Sequence, residues 1–267
     1  MIVSIEPLRF LVDEIVGDDF EVGVLVPAGA SPETYEPTPL QMRAAEDARL
    51  VFSTGVIDFE HVMLQRLSSP ERFVDLSAGI ELISSVDGGA HVDADGHGHA
   101  HGGVDPHVWV APRGLARMAR TAYERIHELY PDSTSYTANY ARLSERLAAL
   151  DRTVAERIAA SPTRSFMIFH PGLTYFARDY GLRQIALEHD GKEPSVKQLA
   201  ETVGLARAEG VSKILYQSEF PRRVVEVMAA EIGAEPVEID ILGYDIVGNI
   251  LKITEFIAPS ATPVPKD

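Results

Sequence analysis

The chain has 267 residues and a formal charge of -16, with 24 Lys and Arg against 40 Asp and Glu, and it contains no cysteine. So acidic a balance argues against nucleic acid or an anionic membrane surface as partner, because both reward cationic patches. Without thiols there is no disulfide, zinc–thiolate site or cysteine nucleophile, so any metal site must be built from His, Asp, Glu and water.

No apolar run reaches the ~18 residues of a membrane span. Met1 leads straight into strand-like Ile2-Val3-Ser4-Ile5. A mature protein whose leader has been removed starts this way, and so does a cytosolic one. Leu8 to Val16 is expected as a helix after Pro7, and Glu21 to Val26 as a strand running into the loop Pro27 to Pro37. Pro39 opens a helix to about Arg49; Leu50 to Thr54 reads as strand, Phe59 to Leu67 as helix and Arg72 to Leu76 as strand. After Pro112 an amphipathic helix covers Leu115 to Leu129. Alternating strands and helices indicate parallel sheet with crossover helices.

Pro131 interrupts the alternation, and Asp132 or Ser133 is placed to cap a new helix. Tyr136, Tyr140, Leu143, Leu147, Leu150, Val154 and Ile158 recur by fours and threes. The helix lasts to about Ala160, so ~27 residues and ~40 Å, too long for an ordinary crossover. We read 132–160 as a spine between an N-terminal lobe, 1–131, and a C-terminal lobe, 161–267.

The alternation then restarts with a strand over Ser165 to Phe169, a helix over Thr174 to Tyr180 and a strand over Leu182 to Leu187. A helix from Ser195 to Glu209 precedes a strand at Lys213 to Gln217, and a helix at Arg222 to Ile232 precedes a strand at Val237 to Asp240. Ile246 to Phe256 closes the set as a helix. Each lobe thus carries a four-stranded, mostly parallel sheet flanked by helices.

The stretch 87–104 and its continuation to Trp109 hold five of the nine histidines: His91, His97, His99, His101 and His107. Glycines at 88, 89, 96, 98, 102 and 103 deny it a stable helix or strand. Imidazole suits zinc, copper, nickel and iron, and a histidine-rich tract reads as metal binding on composition.

Ligands of open α/β sheets bind beyond the carboxyl ends of the strands. The metal-competent residues just past strand ends are Glu33, His107, His170 and Asp240. Two imidazoles and two carboxylates enclose a divalent cation and leave no open position for a reactive water, which describes a carrier better than a catalyst. The competing class is a zinc hydrolase with Glu33 or Glu219 as base, but neither H-E-x-x-H nor G-x-S-x-G occurs. A surface adhesin is a third class, without an adhesive motif to argue for it.

Six segments then follow in order: Ile5-Glu-Pro-Leu, Val26-Pro-Ala-Gly-Ala-Ser-Pro-Glu-Thr-Tyr-Glu-Pro37, Asp105-Pro-His-Val-Trp109, Phe169-His-Pro171, Tyr175-Phe-Ala-Arg-Asp-Tyr-Gly181 and Ile239-Asp-Ile-Leu-Gly243. With these the chain resembles, over essentially its whole length, the periplasmic metal-binding proteins of zinc and manganese ABC transporters. The resemblance implies two α/β lobes bridged by one long helix, a metal between them, and delivery to an ABC-transporter permease in the cytoplasmic membrane. It also implies a monomer that is periplasmic or anchored outside that membrane. His107, His170 and Asp240 fall on the family's ligand positions, and Glu36 reads as a supporting residue. The loop histidines 91, 97, 99 and 101 match a zinc-gathering loop. Glu33 stands where zinc members usually carry histidine. That exchange hardens the site, so zinc is the expected ion with manganese or iron as alternatives. Another arrangement has Glu33 swing away and a loop histidine such as His101 complete the site.

Overall fold

The computed structural model describes residues 1–84, 103–188, 196–220 and 222–259, except for the side chains of 196–199. Histidines 91, 97, 99 and 101 lie outside the described residues. The first half contains strands β1 (Ile2–Val3), β2 (Gly23–Val24), β3 (Val51–Ser53) and β4 (Phe73–Asp75), paired in the order β2-β1-β3-β4. The second half contains β5 (Ser165–Ile168), β6 (Arg183–Ala186), β7 (Lys213–Gln217) and β8 (Glu235–Ile239), in the order β6-β5-β7-β8. Every strand pair is parallel. The two sheets therefore share one topology, as the restarted alternation predicts.

Helices α1 (Glu6–Val16), α2 (Pro39–Asp47), α3 (Asp58–Arg66) and α4 (Pro112–Leu129) belong to the first half. Prolines set several starts: Pro7, Pro39 and Pro112 all occupy the first turn, where a missing N–H costs nothing. In α2 the Thr38 side chain accepts from Gln41 N while Gln41 reaches back to Thr38 N, a reciprocal cap. The expected strand Glu21 to Val26 shrinks to two residues, although Leu25 N and Val26 N still donate to Val3 O and Ser4 O at 3.0 Å.

The long helix α5 spans Thr134–Ala160, 27 residues, capped by the Ser133 hydroxyl. It buries Tyr136, Leu143, Leu147, Leu150, Val154 and Ile158. Tyr140 is only partly buried and stacks on Tyr123 at 4.3 Å. Around α5 pack α1 and α4 from the first half and α9 (Ile246–Ile257) from the second. Ion pairs Arg146–Glu14 and Arg157–Glu255, both 3.0 Å, fasten it to α1 and α9.

The remaining helices are α6 (Thr174–Tyr180), α7 (Val196–Ala208) and α8 (Arg222–Ile232). Period-two alternation splits β5 between two cores. Phe166 and Ile168 join the apolar cluster that contains the first sheet, α5 and α9. Met167 and Phe169 join a second cluster with Val225, Met228 and Ile232 of α8. No helix of the described residues is long and apolar enough to cross a membrane.

Candidate metal centre

Three of the four expected ligands converge. Glu33 sits in a single helical turn, Pro32–Thr34, on the loop after β2. His107 follows Asp105 and Pro106 and immediately precedes the turn Val108–Val110, whose Trp109 is fully buried. His170 lies just past β5. Glu33 Oε1 is 3.6 Å from His107 Nε2 and 3.3 Å from His170 Nε2. One donor atom from each residue lies within 4.8 Å of the others. Tetrahedral ligands about 2.0–2.1 Å from a zinc ion stand about 3.3 Å apart, and the two separations from Glu33 match that value.

Each imidazole is held from behind by a carboxylate. Asp105 Oδ1 accepts from His107 Nδ1 and from His107 N, both at 2.9 Å. Glu188 Oε2 pairs with His170 Nδ1 at 2.8 Å. A ring whose Nδ1–H is donated in this way offers Nε2 to a metal. Asp105 and Glu188 are both buried.

The electrostatics follow from these contacts. Burial works against charge on His170, but its hydrogen bonds to Glu188 and Glu33 outweigh it and lift its pKa to about 9. Burial likewise opposes charge on Glu33, while the hydrogen bond from His170 and the charges of both imidazoles hold its carboxyl below the usual range. Burial also opposes charge on Asp105, and the His107 partnership reverses it, leaving the group lowered. Glu219, beside the same cleft, is pushed up by burial and by the charge of Asp240.

Close approach depends on Gly172. A Cβ there would stand 2.6 Å from Gln217 Nε2, 3.0 Å from Ile241 Cδ1 and 3.5 Å from His107 Cδ2. Gln217, 1 % exposed, donates its amide to His170 O at 3.1 Å, which fixes which amide atom is nitrogen. Among the described residues its buried Oε1 has no partner. Phe220 stacks on the His170 ring at 5.1 Å. Trp109 Nε1 donates to Ile241 O at 2.8 Å, tying the His107 segment to the loop after β8.

Asp240 is not among the three. It is exposed, and its Oδ1 accepts from Leu242 N at 3.0 Å and Gly243 N at 2.6 Å, closing its own turn. Glu36 is exposed and forms no hydrogen bond or ion pair with Glu33, His107 or His170 among the described residues. The carboxylates that contact the two imidazoles at Nδ1 are those of Asp105 and Glu188. Asp105 had a local signal, an acidic side chain two residues before a histidine across a proline. Glu188 had none, since 18 residues of chain separate it from His170.

Two like sheets bridged by one long helix, with imidazole and carboxylate donors converging from both halves, define a metal-binding protein of the solute-binding class. The model of the periplasmic zinc-uptake complex component A family, ZnuA, matches residues 1–249. The chain belongs to that family. It is similar to the zinc-binding lipoprotein AdcA of Streptococcus pneumoniae serotype 4, at 26 % identity over 88 % of this chain and 48 % of that one. The chain thus spans about half the length of that relative. Among solved structures it is similar to a zinc-bound ZnuA deletion mutant, at 32 % identity, with 98 % of each chain covered and a TM-score of 0.85. It is also similar to the solute-binding protein FpvC of Pseudomonas aeruginosa in complex with Mn2+, at 26 % identity, 96 % and 97 % coverage and a TM-score of 0.77.

Proposed function

We propose that the chain captures a divalent cation outside the cytoplasmic membrane, zinc in first place and manganese or iron as alternatives, and hands it to an ABC-transporter permease. The ion is cargo: Glu33, His107 and His170 take it, and Asp105 and Glu188 hold the two imidazoles with Nε2 forward. Asp240 joins as fourth ligand by turning its carboxylate off Leu242 N and Gly243 N. The chain acts as a monomeric carrier and not as an enzyme, with lobes 1–131 and 161–267 on either side of the spine 132–160. Histidines 91, 97, 99 and 101 gather additional zinc.

One observation carries this reading: three donor atoms from segments far apart in sequence meet within 4.8 Å. The zinc named for AdcA and bound in the ZnuA structure supports the choice of metal. The Mn2+ in FpvC supports the alternative. Calorimetry of the apoprotein with Zn(II) and Mn(II) tests it. His107→Ala and His170→Ala should each weaken binding by at least about 100-fold, the upper end of what a lost supporting partner costs. Unchanged tight binding in the double variant would refute the site. Asp240→Ala reports on the fourth position in the same assay.

A further inference from the structure

The segment from His170 to Tyr175 touches both imidazoles. It begins with the ligand His170 itself and ends in the first turn of α6. There Tyr175, 1 % exposed, donates its hydroxyl to Asp105 O at 2.8 Å and accepts from Ile83 N at 3.1 Å. Asp105 N donates in turn to Ile83 O at 2.9 Å, and Ser84 pairs with Val104 beside it. One phenolic oxygen from the second half therefore ties together two strands of chain from the first. Asp105, whose carbonyl it holds, is the residue whose carboxylate orients His107.

We propose that Tyr175 is a positioning residue for metal capture: its hydroxyl sets Asp105, and through Asp105 the His107 ring, at a fixed separation from His170. The inference rests on the reading of His107 as a ligand. The physical argument is pre-organisation. Two ring nitrogens and a carboxylate must wait at ion-sized spacing, and every degree of freedom frozen beforehand is not lost on binding. Asp105 makes two hydrogen bonds to His107, so a shift of its backbone carries the ring with it. Without the Tyr175 hydroxyl, Asp105 O and Ile83 N lose a buried partner and the Asp105 backbone loses its tie to α6.

Tyr180, on the same helix, supplies the control. Its hydroxyl donates to Asp151 Oδ1 on α5 at 2.7 Å, and Tyr180 does not line the cleft of Glu33, His107 and His170. Tyr175→Phe and Tyr180→Phe each delete one oxygen and keep the ring. In Tyr175→Phe, zinc affinity should fall about tenfold, within the range for lost supporting partners. The His107 Nδ1 proton resonance of the metal-free protein should broaden through faster exchange. Tyr180→Phe should lower the Tm comparably while leaving both readouts at wild-type values. A double-mutant cycle of Tyr175→Phe with Asp105→Asn should show strong coupling in zinc affinity, because both act on the same ring. Equal affinities and equal His107 signals in the two Phe variants would overturn the proposal, as would additive effects in the cycle. If the wild-type protein binds no zinc, the functional reading fails, while the His107 resonance of the metal-free protein still decides the role of Tyr175.

Discussion

A histidine placed between two carboxylates stores a proton at the position of the proposed ion. His170 Nδ1 faces Glu188 and Nε2 faces Glu33, and its pKa of about 9 means that the ring is cationic at neutral pH in the metal-free protein. Burial disfavours that charge, so the two hydrogen-bonded carboxylates supply the excess. A metal at Nε2 must displace this proton, and capture is therefore coupled to its release. At pH 7 the release from His170 should be close to one proton per ion and should vanish as pH rises above about 9. Calorimetry in buffers of different ionisation enthalpy measures it directly. The same shift bears on stability. A pKa raised above the unfolded value of about 6.5 contributes stability that is complete below 6.5 and is lost as pH rises through about 9. The metal-free protein should therefore lose stability across that window. A flat stability profile there, or no proton release at pH 7, would remove the stored proton from the account.

At the scale of elements, the described residues that flank the histidine-rich stretch already meet. Ile83 O accepts from Asp105 N at 2.9 Å and Ser84 bridges Val104, so the stem is closed by described residues alone. Deleting Gly88 to Gly102 should spare the tight site and lower only the number of weaker zinc ions bound, read as stoichiometry by calorimetry. Loss of the tight site with the deletion would make a loop histidine a primary ligand in place of Glu33. The stem also shows what sequence can deliver. Helix and strand identities followed from periodicity and proline placement, and the extent of α5 followed from its apolar repeat and Ser133. Element ends shifted by a few residues because ladder bonds, not propensity, decide where a strand ends. That Glu33, His107 and His170 come together was legible, because strand tips converge. Asp105 as the holder of His107, Glu188 as the holder of His170 and Tyr175 as the clamp were not, since their roles depend on side-chain direction and on contacts as distant as 92 residues along the chain. Asp240 shows the converse: a strand-tip position says where a carboxylate begins and not which N–H groups it will accept from.

For the molecule as a whole, the two halves are joined by more than one device. The cluster that fills the first sheet also contains Phe166, Ile168, Leu215 and Ile239 from the second, together with residues of α5 and α9. Polar ties cross as well, from Trp109 to Ile241 O and from Arg178 to Glu81 O, both at 2.8 Å. Chains of this length often unfold domain by domain, so the default expectation is two transitions. The shared core argues for one, because neither sheet can be exposed without opening apolar surface belonging to the other. In chemical denaturation, fluorescence of the single tryptophan, Trp109, and the far-UV signal of all helices should give one coincident midpoint. Zinc at 100 times its dissociation constant should add about 2.7 kcal/mol and move the whole curve without splitting it. A tryptophan transition that shifts with zinc while part of the helical signal stays behind would show that the second α/β half, or part of it, unfolds on its own. The long helix would then be a tether between separable units. Coincident curves would make the spine and the shared core one cooperative body, in which release of the ion must come from local rearrangement around Glu33 and the His170–Tyr175 segment and not from wide opening of the cleft.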